Sequence, residues 1–287
     1  MPKSHPPITT IAIALACIGL AVASCKGNHR PEPPASSYSA LLDSVDFGDA
    51  QLIRQPELLL KPSLSFFSFL ENTHQEQPEA IAAFMRKVLD ADTAILKYMV
   101  DDVIEKYLFE AGSPIRNDHI YRRMIDYVIE DPRIGQLTKN RFSAHAALLD
   151  QNMPGSGANN FYFVDKEGVR RQLRDFSAVP VLLYFHNPDC EACKVTTRQL
   201  MNSSGLKTAV DNQQIQVIAV YPDPDLKPWR TSTFPDKWLN VYAEKPDELN
   251  VLYDLRAIPC MYLLDRQNRV RSKDGTIEEV LTTIEKM

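Results

Sequence analysis

Apolar residues recur every three to four positions over much of the first half of the chain. In "PEAIAAFMRKVL", Ile81, Phe84, Met85 and Val88 share one helical face. Leu96, Met99, Val100, Val103 and Tyr107 repeat that spacing behind Asp92, a residue suited to cap a helix start. Ile120, Tyr121, Met124, Ile125 and Val128 repeat it again behind Asn117. Breaks fall at Pro78, at "AGSP" (111–114) and at "EDPRIG" (130–135). The pattern predicts an all-α helical bundle over residues 38–150, with no internal repeat of fixed period.

The period shortens after "NMPGSGANN" (152–160), where glycine, proline and asparagine cluster as at a domain boundary. "NFYFVDKEGVRRQLRDF" reads as a hairpin turning at Asp165–Gly168. "VPVLLYFH" (179–186) and "IQVIAVYP" (215–222) are near-continuous apolar runs, the pattern of strands buried on both faces. "CEACKVTTRQLMNSS" reads as a helix starting at Cys190, and "KPDELNVLYDL" can form another. "CMYLLD" (260–265) is a strand, "QNRV" turns into a further strand, and "GTIEEVLTTIEKM" is a closing helix. This order predicts an α/β or α+β sheet domain over residues 151–287.

Composition changes this picture little. The chain has 287 residues, 44% hydrophobic and 24% charged, enough for one large or two medium domains. The net charge of −5, without a basic block, gives no sign of a nucleic-acid partner.

The first residues do change it. Lys3 precedes "ITTIAIALACIGLAVAS" (8–24), an uncharged run ending in small residues, which reads as a secretory signal over residues 1–24. Val22-Ala23-Ser24-Cys25 resembles a bacterial lipobox, which implies cleavage before Cys25 and its lipidation. A plain signal peptide with a chance cysteine, or an uncleaved anchor, is the alternative. "KGNHRPEPPASS" is too polar and proline-rich to order itself, so residues 25–37 form an anchor and tether. Lys26 follows the anchor. By resemblance to sorting signals, this implies the periplasmic face of a Gram-negative outer membrane, ahead of the inner one.

Of five cysteines, Cys17 leaves with the signal and Cys25 takes lipid. Cys190, Cys193 and Cys260 remain, in a compartment where disulfides persist. Cys190 and Cys193 form a C-x-x-C at a predicted helix start, after a buried strand, and Pro259 stands directly before the strand "CMYLLD". "VPVLLYFHNPDCEACK", "YDLRAIPCMYLLD" and the hairpin together resemble the thioredoxin-like superfamily, in particular its membrane-tethered TlpA/ResA-like branch. The resemblance covers residues 155–287. The helical half resembles a poorly characterised domain preceding such modules in exported lipoproteins, and it brings no chemistry.

The resemblance implies an α/β thioredoxin-like domain, with a central mixed sheet flanked by helices, that exchanges dithiols and disulfides. A helix N-terminus favours the thiolate of Cys190, the expected nucleophile, and Cys193, almost one turn on, would resolve the mixed disulfide. Ile258–Pro259 would be cis and offer backbone to an extended substrate. No organic cofactor is required, because the dithiol carries both electrons. Partners would be disulfide or thiol proteins of the periplasm and an upstream electron donor.

Several residues depart from the family. Asp189 replaces a tryptophan, and Glu191–Ala192 replaces a Gly–Pro pair. His186 stands where an aromatic is common, and Tyr184 where many relatives bury a carboxylate. Glu191, His186 or water are then the candidate proton acceptors. Asp189 and Glu191 beside the thiolate would disfavour it and make the pair a reductant or isomerase, unless both point to water. Cys260 reads as a small buried hydrophobe, or as a third thiol near the pair. His186, Cys190, Cys193 and Cys260 have no standard zinc spacing, so no metal is expected. Residues 222–248, with Trp229 and Trp238, read as a partner-binding flap or as an insertion packed on the sheet. A reading of another class is a scaffold lipoprotein whose helical domain binds a partner and whose C-x-x-C is a structural disulfide.

Overall fold

The structure, a computed structural model of the chain, describes residues 37–73 and 77–286. The expected signal peptide, Cys25 and nearly all of the tether lie outside them. No helix among the described residues is long and apolar enough to cross a membrane.

Helices α1 (Ser37–Asp43), α2 (Glu57–Asn72), α3 (Gln77–Leu89) and α4 (Thr93–Lys97) come first. From α4 the chain runs through a π-helical stretch (Tyr98–Glu105) into α5 (Lys106–Leu108), followed by α6 (Asp118–Glu130) and α7 (Gln136–Leu149). The expected stripes face one core. Ile81, Phe84, Met85 and Val88 meet Val103, Tyr121, Met124 and Val128, all fully or nearly fully buried. The caps are made: Asp92 accepts from the Ala94 amide at 2.9 Å, and Asn117 accepts from Ile120 at 3.0 Å. Asn117→Ala should cost about 1 kcal/mol. Denaturant titration would show this as a lower midpoint with an unchanged slope; an unchanged midpoint would refute it.

The second half contains β1 (Tyr162–Asp165), β2 (Arg170–Gln172), β3 (Val181–Phe185), α8 (Glu191–Asn202), α9 (Ser204–Asp211) and β4 (Gln216–Tyr221). It continues with α10 (Lys227–Thr231), β5 (Leu239–Ala243), α11 (Pro246–Leu252), β6 (Cys260–Leu264), β7 (Val270–Lys273) and α12 (Ile277–Glu285). One mixed sheet runs in the order β2-β1-β5-β4-β3-β6-β7, with β3, β4 and β5 parallel. Every residue of β3 and of β6 is buried, because both faces of the sheet are covered. Side chains alternate across it. Leu183, Phe185, Val220 and Tyr262 point into one core. Leu182, Tyr184, Ala219 and Leu263 point into the other, against Leu200 of α8, Leu206 of α9 and Val280 of α12.

Residues 222–248 are not a flap, because α10 and the sheet strand β5 run through them. Trp229 and Trp238 are 6% and 8% exposed. Trp229 donates its indole N–H to Asn240 of β5 at 2.9 Å, and Trp238 stacks on Phe234. Both indoles pack onto the sheet.

The halves meet in a polar seam. Lys273 donates to the carbonyls of Leu149 and Gln151 at 2.6 and 2.7 Å, Arg116 pairs with Asp274, and Arg256 reaches Asp118 at 3.0 Å.

Candidate active site

Strand β3 ends at Phe185, and residues 186–190 then turn the chain into α8. Asn187 shapes that turn. Its side-chain oxygen accepts from the Asp189 amide at 2.8 Å, and its carbonyl accepts from the Cys190 amide at 3.0 Å. Its side-chain N–H donates to Asp223, beyond β4, at 2.7 Å. The sequence reading missed Asn187, although an Asn-Pro pair after a strand is a turn signal.

The turn leaves Cys190 as the N-cap of α8, half-buried, with extended backbone. Its Sγ accepts from the Cys193 amide at 3.3 Å, as a side-chain oxygen would at an ordinary cap. Sγ also lies 3.8 Å from the carbonyl oxygen of Ile258, across the loop leading into β6. The Ile258–Pro259 peptide is cis. Cys193, one turn into α8, is 1% exposed. Burial pushes its thiol up to about 12, and the adjacent Cys190 adds to the shift. The three cysteines of the described residues are free thiols.

Residues 179–270 match the family described as "Thioredoxin-like". The C-terminal half of the chain is a thioredoxin-like domain. Residues 40–152 match a domain of unknown function, DUF5106. A thioredoxin-like protein from Bacteroides caccae is 27% identical and superposes with a TM-score of 0.77, over 94% of this chain and 99% of its own. The thioredoxin domain of a thiol-disulfide oxidoreductase from Bacteroides vulgatus is 26% identical over 47% of this chain and 96% of its own, with a TM-score of 0.40. A probable nucleoredoxin 3 from Oryza sativa subsp. japonica is 23% identical over 116 residues, and the match spans only 25% of that relative.

Tyr184, on the face of the sheet that α8 covers, donates its hydroxyl to the Cys193 carbonyl at 2.9 Å, while meeting Thr197 Oγ1 at 2.9 Å. Burial raises its phenol well above the ordinary range, so it holds its proton. His186 stacks on Tyr184 at 5.2 Å and meets Phe234 edge-on at 4.8 Å. It is 1% exposed, burial pushes it down to about 3, and its Nε2 has no hydrogen-bond partner among the described residues. At neutral pH it is an uncharged ring and a weak base. A cleft of about 350 Å³ lies beside these groups, lined by His186, Cys193, Lys194, Thr197, Arg198 and Phe234 among others. A larger one, of about 690 Å³, lies by Pro180 and Asp265–Gln267 at the opposite end of β3, away from the thiols.

Both acids beside Cys190 face solvent. Asp189 and Glu191 are exposed, and Glu191 is hydrogen-bonded to Lys194 at 2.6 Å, which holds its carboxyl below the ordinary value. Water screens such charges, and Lys194 offsets one of them. Glu191→Gln should therefore shift the equilibrium of the pair against glutathione by less than about tenfold, or about 30 mV. A larger displacement in a redox titration would restore the acids as the main control of potential.

Cys260 is separated from the pair. It opens β6 opposite Phe185 and packs with Phe185, Tyr253 and Tyr262, whereas α8 covers the face that carries Tyr184. Its thiol donates to the Asp254 carbonyl at 3.7 Å, and burial raises it well above the ordinary range. Among the described residues, no three His, Cys, Asp or Glu side chains are grouped to hold a metal ion.

Proposed function

We propose that the protein is an exported thiol-disulfide oxidoreductase acting on periplasmic protein disulfides. The supporting observation is Cys190: a half-exposed sulfur at the first turn of α8, beside a buried partner thiol and the Ile258 carbonyl. The unpaired amides of a helix start favour a thiolate there. The Cys190 thiolate attacks one sulfur of a substrate disulfide, forms a mixed disulfide and releases the other sulfur as a thiolate. The Cys193 thiolate then attacks Cys190 Sγ. The second substrate thiol leaves, and the Cys190–Cys193 disulfide holds the two-electron oxidation. An upstream dithiol returns those electrons. Ile258 and Pro259 supply the backbone edge against which an extended substrate lies.

The net direction in this reading is reduction or isomerisation, and the TlpA/ResA-like branch is the proposed relation. Insulin reduction driven by a dithiol tests the activity. No turnover by the wild-type chain would favour a scaffold with a structural disulfide. We place the chain at the membrane surface through Cys25, with the signal peptide removed. A labelled fatty acid fed to cells should be incorporated into the wild-type chain and not into Cys25→Ala. Absence of label from the wild-type chain would refute the lipid anchor.

A further inference from the structure

The loop that carries Ile258–Pro259 is gripped by the helical domain. Arg256, two residues before Ile258, donates through Nε and Nη2 to both carboxylate oxygens of Asp254 at 2.8 and 2.6 Å. The same Nη2 reaches Asp118, the first residue of α6, at 3.0 Å. Nη1 donates to the Phe109 carbonyl, and the guanidinium lies 3.6 Å from the centroid of the Phe109 ring. Phe109 is itself fixed, stacked on His145 at 4.0 Å and on Tyr121 at 4.7 Å, with Tyr121 and His145 hydrogen-bonded at 2.8 Å. The Arg256 side chain is only 17% exposed. The root of the loop is held as well, since the Leu252 carbonyl accepts from Asn152 and Asn159 at 2.7 and 3.0 Å.

Arginine suits this place because its planar fork serves several acceptors while its face covers a ring. Taking the charge from one acceptor of a part-buried guanidinium loosens the fork, and with it the backbone two residues away. That backbone is the segment whose Ile258 carbonyl stands 3.8 Å from Cys190 Sγ.

We propose that the helical domain is a positioning element for this loop: Phe109 and Asp118 hold Arg256, and Arg256 sets where the Ile258 backbone stands relative to Cys190. The inference rests on the thiol-exchange reading. It assigns the helical domain a part in binding extended protein substrates, while the electron chemistry stays with the two cysteines.

Asp118→Asn in the full chain tests it, because Asp118 belongs to the helical domain. Amide exchange across residues 255–260 should rise. The kcat/KM for insulin should fall by about tenfold through KM, as expected when a binding edge is misplaced by part of an ångström. Reaction of Cys190 with a small aromatic disulfide and the reduction potential should not move. Asp118→Glu should restore the wild-type values. Asp126→Asn, which removes a different acid from α6, should leave them alone. Unchanged exchange in the loop would overturn the proposal. So would raised exchange with kcat/KM within about twofold of wild type, or an Asp126→Asn variant that behaves like Asp118→Asn. If the wild-type chain does not turn over insulin, the thiol-exchange reading fails separately, and loop exchange alone decides the positioning role.

Discussion

Cys190→Ser is expected to lose disulfide turnover by more than about a thousandfold, because an alcohol at this position cannot replace the attacking thiolate. Cys193→Ala should lose turnover to a similar extent for a different reason. Its Cys190 still attacks, since the helix start is untouched, but nothing resolves the product. Mixed disulfides with substrate proteins should then accumulate and be visible as higher bands on non-reducing gels, abolished by dithiol. The two variants separate first attack from resolution. If Cys193→Ala formed no adducts while Cys190→Ala did, the roles of the sulfurs would be reversed. The geometry argues against reversal: Cys193 is 1% exposed, whereas Cys190 is half-buried at the cap. The trapped proteins would also identify substrates directly.

How much of this was legible in the sequence varied with the physics behind each element. Where one face of an element is buried, the apolar spacing records it. The stripes of α3 and α6, and the runs of β3, β4 and β6, could therefore be read directly. Helix α7 buries only Phe142, Ala146 and Leu149 over fourteen residues, too sparse a stripe to read. Helix α2 contains Pro62, which normally marks a break, yet the helix runs on through it to Asn72. Strand β5 was concealed by the prolines before it and by Asn240 within it. That amide is satisfied by the Trp229 indole and by Ser232 Oγ at 2.9 Å each, and such partners leave no mark on local pattern.

The candidate site divides in the same way. The spacing of Cys190 and Cys193, and the place of Pro259, are local facts, and the sequence carries them. The orientation of Asp189 and Glu191 depends on Lys194 and on solvent, and the separation of Cys260 depends on which face of β6 it takes. Arg256 gave no signal, because its partners Phe109 and Asp118 lie more than a hundred residues away, in the other domain.

The resolving step should show a steep dependence on pH. Three nearby groups could have taken the proton of Cys193, and the structure weakens each. Tyr184 is engaged as a donor and holds its proton. His186 is pushed down to about 3 by burial, so it accepts a proton only in strong acid. Glu191 is exposed, bound to Lys194 and held below its ordinary value. The remaining acceptor is water, which can approach Cys193 through the cleft that it lines with Thr197 and Arg198. Burial destabilises the Cys193 thiolate and raises the thiol to about 12. Once Cys190 is in a mixed disulfide, its contribution to that shift is gone, but burial remains. Below its raised value the thiolate fraction climbs with pH, so resolution should accelerate by about tenfold per pH unit between about pH 7 and 9. Stopped-flow release of an aromatic thiol from a symmetric aryl disulfide resolves the two steps, because attack by Cys190 releases the first equivalent and attack by Cys193 the second. A second phase that levels off below about pH 8 would reveal a protein base that the structure does not supply. His186→Phe should leave the slope of that phase unchanged, since a ring pushed down to about 3 is too weak a base to take the proton of Cys193.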